Sequence, residues 1–416
     1  MLNTTPHITK FFQKTLLWLF LVSAPISGFA EIRLGNLKVE PSIGYEGQYN
    51  SNIYSSNVNK QSDYIHKIKP AIQIGKTKDG DNYFKAGYKA DVVLYSQNSG
   101  NNYQAHNPYL SFGIKTPKGV YLKGEEEYLN TEDTYGADNQ YNQGVKTRRW
   151  NNQARLVLGY DFGKRYGVEG SYENVMQRFA EDTNQWQNRT DHRYGASLLY
   201  NLPGEKTSAF LQYRQTKAAY DKQNEGIGGW SKTSSQDYRL SDYFIGLRFK
   251  PGGKIRGEAK LGYGQKNFEN ESDKNGLGYK NGSSWIAETK LEYQPVDKTL
   301  FVFNFQRGYK GSPAEDSASY IDTLFGVELR HNIWADRLTL NVGGDFGTND
   351  YDEQTPGMPQ KSFRTYTFKS GVEWRIKQWL RAGLEYKYQQ RNANEAAYES
   401  YNYDNNIFTL NVNAVF

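Results

Sequence analysis

From Phe408 to Ala414 the chain alternates strictly: Phe408, Leu410, Val412 and Ala414 are apolar, Thr409, Asn411 and Asn413 between them are polar, and the final Phe416 falls on the apolar face. Successive side chains of an extended strand point to opposite faces, so this run carries one apolar and one polar face. The pattern recurs. Phe84, Ala86, Tyr88, Ala90, Val92 and Leu94 form a row with Lys85, Lys89 and Asp91 opposite, and Tyr243, Ile245, Leu247 and Phe249 oppose Phe244 and Arg248. Leu261 and Tyr263 lie away from Arg256, Glu258 and Lys260; Trp285, Ala287, Leu291 and Tyr293 stand against Glu288, Lys290 and Glu292. Leu380, Ala382, Leu384, Tyr386 and Tyr388 face away from Arg381, Glu385 and Lys387. Strands are predicted at 38–54, 62–75, 83–95, 105–115, 120–129, 149–160, 166–178, 190–202, 207–219, 237–250, 255–267, 283–294, 299–309, 318–330, 338–347, 362–375, 380–389 and 403–416.

The connections between these strands are of two kinds. Short turns lie at 76–82, 116–119, 161–165, 203–206, 251–254, 295–298, 331–337 and 376–379, several built on Pro-Gly, Asp-Gly or Gly-Gly, which supply the fixed or positive φ that hairpins need. Long segments rich in Asn, Gln, Ser, Asp and Gly lie at 130–147, 220–236, 268–282, 348–361 and 391–400. Short turns at one end and long loops at the other are the asymmetry of an outer-membrane β-barrel, with the short end periplasmic. Both termini at that end give about eighteen strands, an even number as in bacterial single-chain barrels. The expected fold is thus an all-β, antiparallel transmembrane barrel over residues 31–416.

A charge on the lipid side at mid-membrane costs roughly 2–4 kcal/mol, which turns the charged row of each strand inward. The expected lumen-lining residues are those named opposite the apolar rows together with Arg155, Glu169, Arg214, Asp345, Lys369 and Glu373. So many ions of both signs cannot pack in a dry core, where each costs several kcal/mol even when paired. About eighteen strands also leave an interior too wide for side chains to fill. A water-filled conduit for a hydrophilic solute follows.

Composition changes this picture little. Tyr 34, Phe 21 and Trp 8 fit the aromatic girdles of a barrel, and mean hydropathy is −0.83. Net charge is +6, two units of it from Lys10 and Lys14, and this near balance gives no sign of nucleic-acid binding. Those two lysines precede Leu16–Val22, Pro25 and Gly28-Phe29-Ala30, the three regions of a secretory signal peptide expected over residues 1–30. Its apolar run falls short of the roughly 20 residues a spanning helix needs. Cysteine is absent, which excludes disulfides and thiolate metal sites.

Catalytic chemistry finds little support. His66, His106, His192 and His331 stand in no H-E-x-x-H spacing and beside no G-x-S-x-G turn, and His192 reads as an aromatic-girdle position. Asp350, Asp352 and Glu353 could offer oxygen ligands to Ca²⁺ but lack an EF-hand spacing, so a solvated loop is the reading taken. No catalytic residue, metal or cofactor is expected.

One stretch carries a resemblance. Gly44-Tyr45-Glu46-Gly47-Gln48-Tyr49-Asn50-Ser51-Asn52-Ile53-Tyr54, followed by Ser62-Asp63-Tyr64-Ile65-His66-Lys67-Ile68-Lys69-Pro70-Ala71-Ile72, resembles the opening hairpin of the putative β-barrel porin 2 family. Asn50-Ser51 replaces that family's acidic pair and Ala71 its glycine after proline. The resemblance implies export of an exopolysaccharide or capsular polysaccharide through the outer membrane. It also implies work with a periplasmic polysaccharide-export protein and an inner-membrane copolymerase, in contact with outer-membrane lipid and lipopolysaccharide. Two other readings stay open beside it: an uptake channel for anionic oligosaccharides or small solutes, and a plugged structural anchor.

Overall fold

A computed structural model describes residues 32–79, 82–133, 146–204, 206–221, 235–250, 252–272, 278–312, 317–334, 337–352 and 357–416. The expected signal peptide lies outside them. Among the described residues nineteen strands are formed: β1 (Ile32–Leu34), β2 (Leu37–Asn50), β3 (Asp63–Asp79), β4 (Asn82–Tyr95), β5 (Tyr103–Lys115), β6 (Val120–Thr131), β7 (Arg149–Phe162), β8 (Tyr166–Phe179), β9 (Arg189–Asn201), β10 (Thr207–Tyr220), β11 (Tyr238–Phe249), β12 (Ile255–Phe268), β13 (Gly282–Val296), β14 (Thr299–Gly311), β15 (Ser319–Ile333), β16 (Leu338–Tyr351), β17 (Ser362–Arg375), β18 (Leu380–Ala393) and β19 (Tyr403–Val415).

Each of β2 to β19 pairs antiparallel with its sequence neighbour, and β19 returns to β2 with Phe408 opposite Tyr49 and Val412 opposite Tyr45. The Phe416 N–H donates to Pro41 O at 2.9 Å, closing the seam. The wall is therefore a closed eighteen-stranded barrel with no free edge, the one kind of sheet whose backbone groups are all paired at membrane depth. The three-residue β1, which the alternation did not indicate, pairs with Leu37–Val39 at the foot of β2, below the point where β19 begins to pair.

The expected boundaries hold to within about four residues, and the departures have physical causes. β16 and β18 run on to Tyr351 and Ala393, because ladder pairs such as Asp350–Ser362 and Arg364–Asn392 need only backbone groups and continue where the apolar pattern has stopped. β2 ends at Asn50 instead of 54, since Ser55 and Asn59 take positive φ of 51° and 53° and the Asn52 Oδ1 accepts the Ser56 N–H at 2.9 Å, folding the chain back. At the short-turn end, Thr116 O accepts the Gly119 N–H at 3.0 Å and Gly119 sits at φ 93°, a left-handed position that favours glycine.

Which face is inside is settled by contacts that skip strands. Arg248 on β11 meets Glu169 on β8, Arg214 on β10 meets Glu288 on β13, and the Tyr109 hydroxyl on β5 donates to Gln73 Oε1 on β3. Side chains reach over intervening strands only on the concave side. The opposite rows carry Leu198, Leu211, Ile245, Leu261 and Leu384, each more than half exposed, as a lipid-facing band requires.

Candidate functional site: the charged lumen and its outer mouth

Along β8 to β13 the inward rows form a continuous ionic ladder. Arg214 Nη2 lies 2.7 Å from Asp242 Oδ2 and 2.7 Å from Glu288 Oε1, and Lys260 Nζ lies 2.8 Å from Glu288 Oε2. Arg248 bonds Glu258 at 2.9 Å and Glu169 at 2.8 Å, while the Tyr121 hydroxyl donates to Glu169 at 2.7 Å. Beneath these cations lie two buried rings. Arg248 covers Phe210 at 5.5 Å, and Arg214 and Lys260 cover Phe244 at 5.1 and 4.7 Å. Gly246 leaves the room for Phe210, since a Cβ there would come within 2.5 Å of the ring.

A polar cavity of about 360 Å³ opens beside this ladder, lined among others by Arg155, Glu173, Arg193, Gln212, Arg214 and Lys260. Arg155 is exposed at its edge and has no ion-pair partner among the described residues. The remaining wall is braced by separate pairs. Glu46 accepts from Lys67 and Lys69 at 2.6 and 2.7 Å, Lys369 pairs with Asp345 at 2.9 Å, and Arg381 approaches Glu373 at 3.4 Å. Arg256 pairs with Glu292, and Lys89 lies 4.9 Å over the Tyr109 ring. Lys387 sits directly across from Lys369, whereas Lys85, Asp91, Lys290 and Glu385 form no ion pair among the described residues.

The two ends of the lumen differ. At the short-turn end Arg256 and Arg381 keep 54% and 56% of their side-chain surface exposed. At the long-loop end the inward groups are buried. Asn52, Asp63, Thr147, Asp191, Lys266, Ser317 and Ser319 are all below 2% or at that level. Asp63 accepts the Asn98 N–H at 2.8 Å and the Asn98 Nδ2 at 2.9 Å, tying the second loop to the first hairpin. Arg391 lies 3.8 Å over Phe363, and Lys361 stacks between Tyr351 and Tyr401 at 4.9 and 5.1 Å. Lys266 Nζ, with no hydrogen-bond partner among the described residues, rests over Tyr238 at 4.1 Å and Phe268 at 4.5 Å. In the loop after β16, burial holds the Asp352 carboxyl above its usual range, against the pull of the Ser319 hydroxyl and Lys266.

Three histidines lie on the outer face, each paired with a tyrosine. Tyr45, Tyr88 and Tyr172 place their hydroxyls 2.7, 2.6 and 2.9 Å from the Nδ1 of His66, His106 and His192, and each histidine is the fourth residue of its strand. His331 Nδ1 lies 3.0 Å from Thr299 Oγ1 near the short-turn end. Asp350 lies in the β16 ladder opposite Ser362, and Glu353 lies outside the described residues. Glu126 is a lipid-side charge that the alternation did not indicate. Glu126 stands opposite Leu110 and Ala154, on the row of Leu122 and Tyr128, and its Oε1 accepts from Asn152 at 3.2 Å. The run Glu125-Glu126-Glu127 hid it, because only the alternate residues, Glu125 and Glu127, point inward.

The family described as putative beta-barrel porin 2 matches residues 28–416. The chain belongs to that family. This beta-barrel porin is accordingly a protein of the Gram-negative outer membrane. Among solved structures, the porin is similar to the outer membrane protein opdK from Pseudomonas aeruginosa, with TM-score 0.46, 11% identity and coverage of 91% of this chain and 98% of that one. It is also similar to OccK2 (OpdF) of the same organism, at TM-score 0.47 and 9% identity over 92% and 98% of the two chains. A structure titled as a bacterial polysaccharide outer membrane secretin aligns at TM-score 0.37 and 10% identity over 92% and 100%. No curated relative matches the porin in sequence.

Proposed function

We propose that this porin is a passive, water-filled conduit through which an exopolysaccharide or capsular polysaccharide leaves the periplasm. One observation carries the reading: the inward Arg256 and Arg381 stay exposed at the short-turn end, whereas polar and aromatic groups at the long-loop end are buried and latched together. A chain entering from the periplasm meets acids and bases in near balance, so no single ring of charge holds it, and weak, repeated contacts favour passage over retention. The outer latches then keep the cell surface sealed until the polymer arrives. A periplasmic polysaccharide-export protein and an inner-membrane copolymerase would deliver the glycan, and the barrel itself does no chemistry and needs no cofactor.

The cavity around Arg155, Arg193 and Arg214 favours a second reading, an uptake channel for anionic oligosaccharides. Deleting the gene separates the two. Under the export reading, surface polysaccharide disappears and glycan accumulates in the periplasm; under the uptake reading, surface polysaccharide is unchanged and growth on anionic oligosaccharides fails.

A further inference from the structure

The lipid side of β8 to β12 is layered. Leu198, Leu211, Ile245 and Leu261 form an exposed apolar band, and above it come Tyr172, Tyr194, Tyr213, Tyr243 and Tyr263. The rings of Tyr172 and Tyr194 lie 5.3 Å apart and those of Tyr213 and Tyr243 5.1 Å apart, a girdle that fixes the membrane boundary. Above the girdle, strand register brings His192, Lys217 and Arg239 into one line, His192 directly opposite Lys217 and Lys217 directly opposite Arg239. Like charges placed directly across a ladder repel. In the lumen the matching pair, Lys369 and Lys387, is answered by Asp345. On the lipid side Glu269 answers Arg239 at 3.1 Å, but Lys217 is exposed and has no partner among the described residues.

We propose that His192, Lys217 and Arg239 form a binding site for the phosphate of an outer-leaflet glycolipid. The depth of the site suits a lipid headgroup: a phosphate seated on this line leaves its acyl chains beside the apolar band, with tyrosine rings at the sugar level. The Tyr172 hydroxyl lies on the Nδ1 side of His192 at 2.9 Å, so Nε2 is the nitrogen left to face the anion. The phosphate supplies the negative charge that two opposed cations and one carboxylate lack, and Arg and Lys are the side chains that recognise it.

The test uses the full-length folded porin in detergent, probed by native mass spectrometry and thermal unfolding. The probes are diphosphoryl lipid A, the same lipid dephosphorylated, and inorganic phosphate. The porin should retain one diphosphoryl lipid and melt several degrees higher with it, while the dephosphorylated lipid and inorganic phosphate raise the melting point little. K217A/R239A should bind the diphosphoryl lipid at least tenfold more weakly, and Arg364→Ala, which removes an outer-face cation with no cation opposite it, should bind as the parent does. Should K217A/R239A fail to show the heat-modifiable mobility of a folded barrel, K217Q alone replaces it with the same expectation in the same direction. Undiminished retention by the folded variant, equal stabilisation by the dephosphorylated lipid, or equal stabilisation by inorganic phosphate would each overturn the proposal.

Discussion

Arg248 on β11 and Glu169 on β8 meet at 2.8 Å across two intervening strands. The reach is possible because Ser197 on β9 pairs with Glu169 and Ser208 on β10 pairs with Arg248, and both serines are short and buried. The pair ties four strands together from inside, where lateral hydrogen bonds alone would leave the wall free to flex.

Removing one partner strands the other. Arg248→Met should cost about 1–3 kcal/mol in urea unfolding of the micelle-embedded barrel, the penalty of a charge left unanswered at a partly wet site. Glu169→Gln added to it should recover part of that loss, and a double variant no better than the single would show that the two groups do not depend on each other.

The lumen cations divide into braces and free charges, and the free ones should set ion selectivity. Lys85, Arg155 and Lys290 have no ion-pair partner among the described residues, so K85E/R155E/K290E should shift the reversal potential in a salt gradient toward cations without loss of folding. An unmoved reversal potential would place the selective field elsewhere.

Glu126 and Leu384 test the two faces against one another. Leu384→Arg should destabilise the barrel by roughly 2–4 kcal/mol near mid-membrane, and Glu126→Leu should stabilise it by about 1 kcal/mol, acids costing less than bases at a lipid face. Both are read from the urea midpoint of folding into vesicles. A destabilised Glu126→Leu would mean that the carboxylate earns its place through a partner in the membrane.

Much of the fold was legible because a barrel wall imposes one rule at every position: period 2, apolar outward, with a turn signal at each short end. Phe84 to Val92 and Leu380 to Tyr388 obey it without exception, and their strands lie where the pattern places them. Pattern alone could not show that Arg248 bonds Glu169, since that partnership depends on curvature and on two serines far away in sequence. The outer mouth was equally hidden. Asn52, Asp63 and Lys266 fall at the outer ends of predicted strands, and their burial comes from packing against loops and neighbouring strands, which leaves no periodicity. Glu126 was missed for a simpler reason, the masking of one lipid-facing acid by its two inward neighbours.

The central claim, a conduit open toward the periplasm and latched at the cell surface, is tested most directly by single-channel current across a planar bilayer with a long glycan added to one side at a time. Glycan on the short-turn side should block the current at a much lower concentration than glycan on the long-loop side, and K361A/R391A, which loosens the outer latch, should raise the conductance and narrow that difference. Equal block from both sides, with conductance unchanged in K361A/R391A, would contradict it.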